Sequence, residues 1–176
     1  MTRVQISAAA FKFFKMDNYY DQIAQGYEEL HREEQEKKIE IIKHYLKQKK
    51  TDKLLDVGCG TGLTTKPWNC KRYGIDPSKK LLEKAKHKDI EYKLAEAENI
   101  PYKDNFFNIV ISITPIQNFT NIEKGLKEIK RVGKDKFVLT FLKKSKNKEL
   151  IDKLIKQLFE VNKIIEEEKD MIYLIN

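Results

Sequence analysis

Residues 54–62 have the sequence Leu-Leu-Asp-Val-Gly-Cys-Gly-Thr-Gly. Residues 54–57 form a predicted buried strand, and glycines follow it at three alternate positions. Glycine permits a tight turn and lets a ligand approach the bare backbone. A second predicted strand ends in Asp76, whose carboxylate could accept both hydroxyl groups of a ribose. A glycine loop and a strand-end acid at one sheet edge indicate a site for an adenosine-type cofactor.

The spacing of the glycines separates two classes of nucleotide cofactor. Dinucleotide-binding loops follow the pattern GxGxxG and hold a pyrophosphate at a helix N-terminus. Here Gly58, Gly60 and Gly62 follow GxGxG, and Asp56 precedes them. A carboxylate at this point would repel a pyrophosphate, whereas it suits a cationic amino-acid group. The pattern therefore favours a cofactor with an amino-acid end over a nicotinamide dinucleotide.

Short strands and helices alternate along the rest of the chain. The predicted strands cover residues 54–57, 73–76, 90–94, 107–113, 136–142, 162–166 and 171–175. The predicted helices cover 122–132, 149–159 and a lysine-rich stretch that follows Pro77-Ser78 and ends at about Lys86. Strands separated by helices form a parallel sheet that is covered on both faces, whereas the last two strands, joined by a tight turn, must be antiparallel. We therefore predict an α/β fold with a Rossmann-like seven-stranded, mostly parallel sheet, helices on both faces and an antiparallel C-terminal strand pair.

The composition excludes several classes of protein. The chain has 176 residues, of which 40% are hydrophobic and 35% charged, as in an ordinary globular domain. Its apolar runs are far shorter than the roughly 20 residues of a membrane-spanning helix. Cys59 and Cys70 are too few for a disulfide framework, and no metal-ligand pattern is evident. We expect a cytoplasmic protein without a metal or a membrane partner.

Residues 54–62 resemble motif I of the class I S-adenosylmethionine-dependent methyltransferases, a strand followed by D-x-G-x-G-x-G. Residues 20–27 (YDQIAQGY) are similar to the (F/Y)DxxAxxY opening of the ubiquinone-biosynthesis-like branch, also called methyltransferase type 11. Residues 95–102 (AEAENIPY) are similar to its (D/E)AExLPF segment. Residues 106–110 match the FD-hydrophobic entry to strand four, with Asn108 in place of the Asp, and residues 129–132 match the helix end xRV.

The resemblance implies S-adenosylmethionine as the cofactor. It assigns Glu96 and Ala97 to adenine, Asp76 to the ribose, and the glycine loop with Asp56 to the methionine part. Tyr20 and Tyr27 would close over the methionine end, or else simply pack on one helix face. The expected cofactor-binding residues are Tyr20, Tyr27, Asp56, Gly58, Cys59, Gly60, Gly62, Asp76, Pro77, Glu96, Ala97 and Ile113.

The loop after strand four, residues 112–119, is expected to hold the methyl acceptor opposite the glycine loop. It lacks the (N/D)PP(Y/F) motif of amino-group methyltransferases. It resembles either the loop of small-molecule enzymes or the S-I-(S/T)-x-(I/V)-Q-x-(F/W) loop of the ribosomal-RNA guanine-N7 methyltransferases, in which Gln117 matches the motif Gln. A general base is needed only if the acceptor must lose a proton early. The catalytic candidates are Gln117, Asn118 and His31.

The acceptor class stays open at the level of the sequence. The formal net charge of +8 suits an anionic partner, but nearly all of the 35 basic residues are lysine, whereas phosphate-reading surfaces tend to favour arginine. The segment after strand five could bind RNA phosphates or be a solvated helix start; its lysines are Lys143, Lys144, Lys146 and Lys148. The RNA enzymes also imply a small activator protein as a partner.

We therefore predict an S-adenosylmethionine-dependent methyltransferase with an unidentified acceptor. Three alternatives remain: an RNA base methyltransferase, for example at guanine N7, working with a small activator subunit; a small-metabolite methyltransferase; and a non-catalytic cofactor-binding module.

The chain is expected to form one domain over residues 16–176, in which residues 16–50 make a helical N-terminal lid. Residues 1–15 are expected to be disordered or to extend upstream of a natural start at Met16. An alternative is a short amphipathic anchor built on Phe11, Phe13 and Phe14.

Overall fold

A computed structural model describes the backbone of residues 27–176 and the side chains of residues 32–176. Predictions for residues 1–15, for the start of the lid and for Tyr20 lie outside these residues, as do the side chains of Tyr27 and His31. The described part contains helices α1 (Tyr27–Tyr45), α2 (Lys79–Lys84), α3 (Ile122–Val132) and α4 (Lys148–Leu158). Its strands are β1 (Lys53–Val57), β2 (Lys71–Asp76), β3 (Ile90–Leu94), β4 (Phe107–Ser112), β5 (Gly133–Leu142), β6 (Val161–Glu166) and β7 (Asp170–Ile175).

These strands form one sheet in the order β3-β2-β1-β4-β5-β7-β6. The first five strands run parallel, and β7 is antiparallel to both β5 and β6. The strand order reverses between β1 and β4, which is where open α/β sheets bind their ligands at the carboxyl ends of the strands. The predicted fold class is confirmed.

Apolar layers cover both faces of the sheet. On one face, Leu126 and Ile129 of α3 and Ile155 of α4 share a buried cluster with Val110 and Leu139. On the other face, α1 contributes the buried residues Ile39, Ile42 and Leu46, which cluster with β1, β4, β5 and β7. The lid helix is therefore an integral part of the core rather than a loose cover.

The connection from β1 to β2 is unusual for two adjacent parallel strands, because it contains turns and no helix over residues 58–70. Trp68 fills the place of a crossover helix. Its side chain is 1% exposed and clusters with Leu54 on the α1 face, and its indole N–H donates to the Thr64 carbonyl at 2.9 Å. This compact turn keeps Thr64 and Thr65 beneath the glycine loop.

The end of α3 fastens the segment after β3. The guanidinium of Arg131 donates to the carbonyls of Ile100 (2.9 Å) and Tyr102 (2.8 Å) and pairs with Glu128 and Asp104. Glu128 also accepts from the Ile100 amide at 3.0 Å. The arginine therefore holds the loop that continues from the segment predicted to contact adenine.

Candidate cofactor and acceptor site

The glycine loop starts where β1 ends, and its three glycines have positive φ angles: 79° at Gly58, 55° at Gly60 and 87° at Gly62. The amides of Gly58 and Cys59 donate to the Ile75 carbonyl at 2.8 and 3.0 Å, which ties the loop to β2. A Cβ atom on Gly58 would lie 2.6 Å from the Pro115 ring. Glycine at this position is therefore what allows the strand-four loop to touch the glycine loop.

Asp76 lies at the carboxyl end of β2, directly beside the glycine loop. Its Oδ2 accepts from the Gly60 amide and its Oδ1 from the Ser78 amide, both at 2.8 Å. Both carboxylate oxygens thus face the turn between the glycine loop and Ser78. The residue is placed as the sequence predicts, while its ribose contact stays a prediction.

Asp56 lies beneath the loop and is fully buried. The hydroxyls of Thr64 and Thr65 donate to its Oδ2 at 2.6 and 2.7 Å, whereas its Oδ1 has no partner among the described residues. Burial raises the pKa of Asp56 to about 6, although the two threonine hydrogen bonds act in the opposite direction. The site therefore holds a titratable carboxyl with one unpaired oxygen.

The row of the sheet that contains Asp56 includes a residue that the sequence did not single out. Asp56 pairs in register with Gly74 of β2, and Gly74 pairs with Tyr92 of β3. The Tyr92 ring lies over Gly74, and its hydroxyl, which is buried without a partner among the described residues, reaches Gly62. No sequence pattern marks this contact, because it depends on the register of three adjacent strands.

The Cys59 side chain also packs on this row. Its sulfur would lie 2.7 Å from a Cβ placed on Gly74, and burial raises the pKa of its thiol. Since the thiol faces the sheet, only the backbone of Cys59 is available to contact a ligand in the glycine loop.

The segment after β3 carries two glutamates with different surroundings. Glu98 is buried, and its carboxylate accepts from the Asn121 amide at 2.8 Å. Glu96 is exposed, next to the buried Ala97, and the Ala95 amide donates to the Asp76 carbonyl at 3.2 Å. Glu96 and Ala97 therefore lie next to the predicted ribose acid. Pro77 is exposed on the same edge, whereas Ile113 is buried in the cluster on the α1 face.

The strand-four loop folds back on itself. Gln117 donates through Nε2 to the Thr114 carbonyl at 2.5 Å, and its Oε1 is buried without a partner among the described residues. The backbone N–H of Asn118 donates to the Pro115 carbonyl at 2.8 Å and closes a short 3-10 turn. Of the catalytic candidates, Gln117 and Asn118 thus lie on the loop that meets the glycine loop.

Sequence reasoning missed a buried ion pair beside this loop. The Lys38 ammonium contacts an Asp170 carboxylate oxygen at 2.8 Å and donates to the Thr114 hydroxyl at 2.7 Å. Both charged side chains are 0% exposed. The available signal was the position of Lys38 on α1, four residues before the buried Ile42.

The lysines after β5 lie on the same edge of the sheet. Lys143 is paired with Glu166 at 3.0 Å. Lys144, Lys146 and Lys148 are exposed and have no ion pair within residues 32–176. In that same part of the chain, no group of three His, Cys, Asp or Glu residues is arranged to hold a metal, and no helix is long and apolar enough to cross a membrane.

Comparison with known proteins identifies the family. Residues 55–140 match the type 11 methyltransferase-domain model. The chain is 33% identical over 111 residues to the ubiquinone/menaquinone biosynthesis C-methyltransferase UbiE of Neisseria meningitidis, covering 56% of this chain and 45% of the relative. The chain spans about half the length of the curated relatives it matches.

Solved structures share the fold. A putative S-adenosyl-L-methionine-dependent methyltransferase from Methanococcus maripaludis superposes with a TM-score of 0.73 at 16% identity, covering 100% of this chain and 96% of that one. A putative methyltransferase solved in complex with the Haloferax volcanii Trm112 methyltransferase activator superposes at 0.64 with 17% identity, covering 71% and 59%. The family model, the UbiE relative and the shared fold together support a class I S-adenosylmethionine-dependent methyltransferase.

Proposed function

We propose that this chain transfers the methyl group of S-adenosylmethionine to an acceptor held by the strand-four loop. The observation that carries the proposal is the meeting of the glycine loop, Asp76 and Pro115 at the switch point of the sheet. Glu96 and Ala97 follow β3 on the same edge and complete a cofactor path across three adjacent strands.

The residues present fit this cofactor. The unpaired Oδ1 of Asp56 supplies negative charge beneath the loop, which suits a cationic amino-acid group and opposes a pyrophosphate. In this proposal Asp76 accepts hydrogen bonds from the ribose, Glu96 and Ala97 contact the adenine, and the glycine loop holds the methionine part. Tyr20 and Tyr27 are proposed to close over the methionine end.

The cofactor supplies an already activated methyl group on a sulfonium, so the chain mainly has to orient the acceptor and exclude water. The strand-four loop offers the neutral side chains of Gln117 and Asn118, and the charges next to it are paired with each other. Such a loop positions an acceptor through hydrogen bonds. This chemistry suits an acceptor atom with a free lone pair, which needs no base to remove a proton.

The experiment that tests the cofactor assignment is calorimetric titration of the purified chain with S-adenosylmethionine, S-adenosylhomocysteine and NAD. We expect micromolar dissociation constants for the first two ligands and no binding of NAD. Gly60→Val serves as the negative control, because a branched side chain would fill the space along the loop. Binding of NAD, or of neither methionine-derived ligand by a folded chain, would contradict the proposal.

A specific observation favours RNA as the acceptor. Lys144, Lys146 and Lys148 are exposed and unpaired among the described residues, and they lie at the carboxyl edge where the cofactor is proposed to bind. Lysines at this position could contact phosphates next to the reacting base. A small activator protein is proposed as a partner, in analogy with the Haloferax volcanii complex.

This acceptor can be tested by transfer of tritium from labelled S-adenosylmethionine to total RNA and, in parallel, to a small-molecule extract. We expect labelling of RNA, and we expect the triple change of Lys144, Lys146 and Lys148 to Gln to weaken RNA binding about 10-fold or more at low salt. The matched control changes Lys47, Lys49 and Lys50 to Gln, since these residues precede β1 at the opposite edge. Labelling of the extract alone would make the acceptor a small metabolite.

A further inference from the structure

A strained residue lies at the start of the strand-four loop. Thr114 has a φ angle of 71°, in the left-handed region that β-branched residues strongly disfavour. It also precedes Pro115, and residues before proline ordinarily adopt an extended conformation. Strain of this kind persists only where the surrounding structure enforces it, and it concentrates at functional sites.

The polar atoms of Thr114 are all held by neighbours. Its amide donates to the Thr140 hydroxyl at 2.7 Å, and its carbonyl accepts from Gln117. Its hydroxyl accepts from the Lys38 ammonium at 2.7 Å and donates to Asp170 Oδ1 at 3.2 Å. Both members of the ion pair therefore hydrogen-bond to the hydroxyl of the strained residue.

The two partners come from distant parts of the chain. Lys38 lies on the lid helix α1, and Asp170 is the first residue of β7. Burying two charges costs free energy, and apolar residues of the same size often stabilise a fold as well or better. The Lys38–Asp170 pair is fully buried and hydrogen-bonds to the strained Thr114. Its presence is thus better explained by the loop conformation that it enforces than by a contribution to the stability of the fold.

We propose that Lys38 and Asp170 are positioning residues for methyl transfer. The pair fixes Thr114 in its left-handed conformation, Thr114 directs Pro115 onto Gly58, and the same turn orients Gln117. The packing of α1 on the sheet is thereby coupled to the conformation of the strand-four loop. This inference rests on the proposed function, in which the strand-four loop holds the acceptor.

Hydrogen exchange of the full chain, followed by mass spectrometry, tests the inference without any acceptor. In Lys38→Met, we expect the peptide covering residues 113–119 to exchange about 10-fold faster, with little change in the peptides of β1 and β2. Lys37→Met is the matched control, because Lys37 is the exposed neighbour on the same helix. Unchanged exchange in residues 113–119 of a folded Lys38→Met chain would overturn the inference.

A double variant keeps the test valid if Lys38→Met alone does not fold. Lys38→Met combined with Asp170→Asn leaves no unpaired buried charge, so we expect it to fold while residues 113–119 still exchange faster than in the wild type. If exchange in the double variant equals that of the wild type, the pair is not what holds Thr114.

Two further readouts separate this inference from the proposed function. With RNA labelled as above, the double variant should lower kcat about 10-fold or more and change the Kd for S-adenosylhomocysteine by about twofold or less. A wild-type chain that does not bind S-adenosylhomocysteine would refute the cofactor proposal but leave the exchange result standing. An unchanged kcat together with a faster-exchanging loop would overturn the positioning role.

Discussion

Replacement of Asp76 by alanine is expected to lower the affinity for S-adenosylhomocysteine by about 100-fold or more. Hydrogen bonds to a charged acceptor contribute about 1.5–3 kcal/mol each, and the proposed contact involves two ribose hydroxyls. The change also removes the acceptor of the buried Gly60 amide, so the free energy of unfolding should fall by about 1–3 kcal/mol. Calorimetric titration measures the first effect and urea denaturation the second.

Two variants make the Asp76 result interpretable. Asp76→Asn keeps the shape and one acceptor oxygen, so we expect an affinity between those of the wild type and Asp76→Ala. Asp135→Ala removes an exposed carboxylate near the start of β5, at the opposite edge of the sheet; it should leave the affinity unchanged and lose only one exposed hydrogen bond, from Asn108. If the folded Asp76→Ala chain binds S-adenosylhomocysteine like the wild type, Asp76 does not hold the ribose.

The fold could be predicted from the sequence because its determinants are local. Apolar strands alternate with amphipathic helices, and β3 and α3 have the predicted bounds. Predictions failed at ends that apolar periodicity does not mark. α2 starts after Ser78 as predicted, but it ends at Lys84 rather than at about Lys86, because Ala85 is already extended. β5 begins at Gly133 rather than 136, since Gly133 pairs with Phe107 of β4.

The lid also differs from its prediction in extent. Within the described residues, α1 ends at Tyr45, although helical periodicity suggested residues up to 50. Leu46, the last apolar residue of that pattern, is buried in the cluster on the α1 face. Residues 47–50 contain no apolar side chain that could pack on the sheet and extend the helix.

The site could be predicted only where its residues are close in sequence. The glycine loop, Asp56 and Asp76 belong to one short pattern and come together as expected. Lys38 and Asp170 are separated by 132 residues, and each looks like an ordinary solvated charge in its own segment. Only the packing of α1 beside the start of β7 turns them into a buried pair, so the spacing between Lys38 and the buried Ile42 could indicate that Lys38 is buried but not which residue it pairs with.

The second large effect concerns the pH dependence of Asp56. Its carboxyl has a pKa of about 6 in the folded chain and an ordinary pKa near 3.9 in the unfolded chain. Between these two pKa values the folded state binds more protons than the unfolded state. The contribution of the protonated Asp56 carboxyl to the free energy of unfolding is therefore complete below about pH 4 and is lost as the pH rises through about 6. The difference between the folded and unfolded pKa values of Asp56 corresponds to roughly 3 kcal/mol of stability in total.

The measurement is the free energy of unfolding of the wild type minus that of Asp56→Asn, determined by urea denaturation from pH 4 to pH 7. Asparagine keeps an oxygen for the Thr64 and Thr65 hydroxyls but cannot ionise, so the other titrating groups cancel in the difference. We expect the difference to fall by roughly 2 kcal/mol over this range, since about half of the unfolded carboxyl is already ionised at pH 4. A flat difference would mean that the Asp56 carboxylate is already ionised at pH 4 in the folded chain.

The same titration reports on the proposed cofactor. A cationic amino-acid group bound beside Asp56 favours the ionised carboxylate, so by linkage the affinity for S-adenosylhomocysteine should rise as the pH increases from 5 to 7. Asp56→Asn should bind the ligand more weakly and with little dependence on pH over this range. The amino group of the ligand stays protonated throughout it, so a rise confined to the wild type assigns the titration to Asp56. An equal rise in Asp56→Asn would place the cationic group away from this carboxylate.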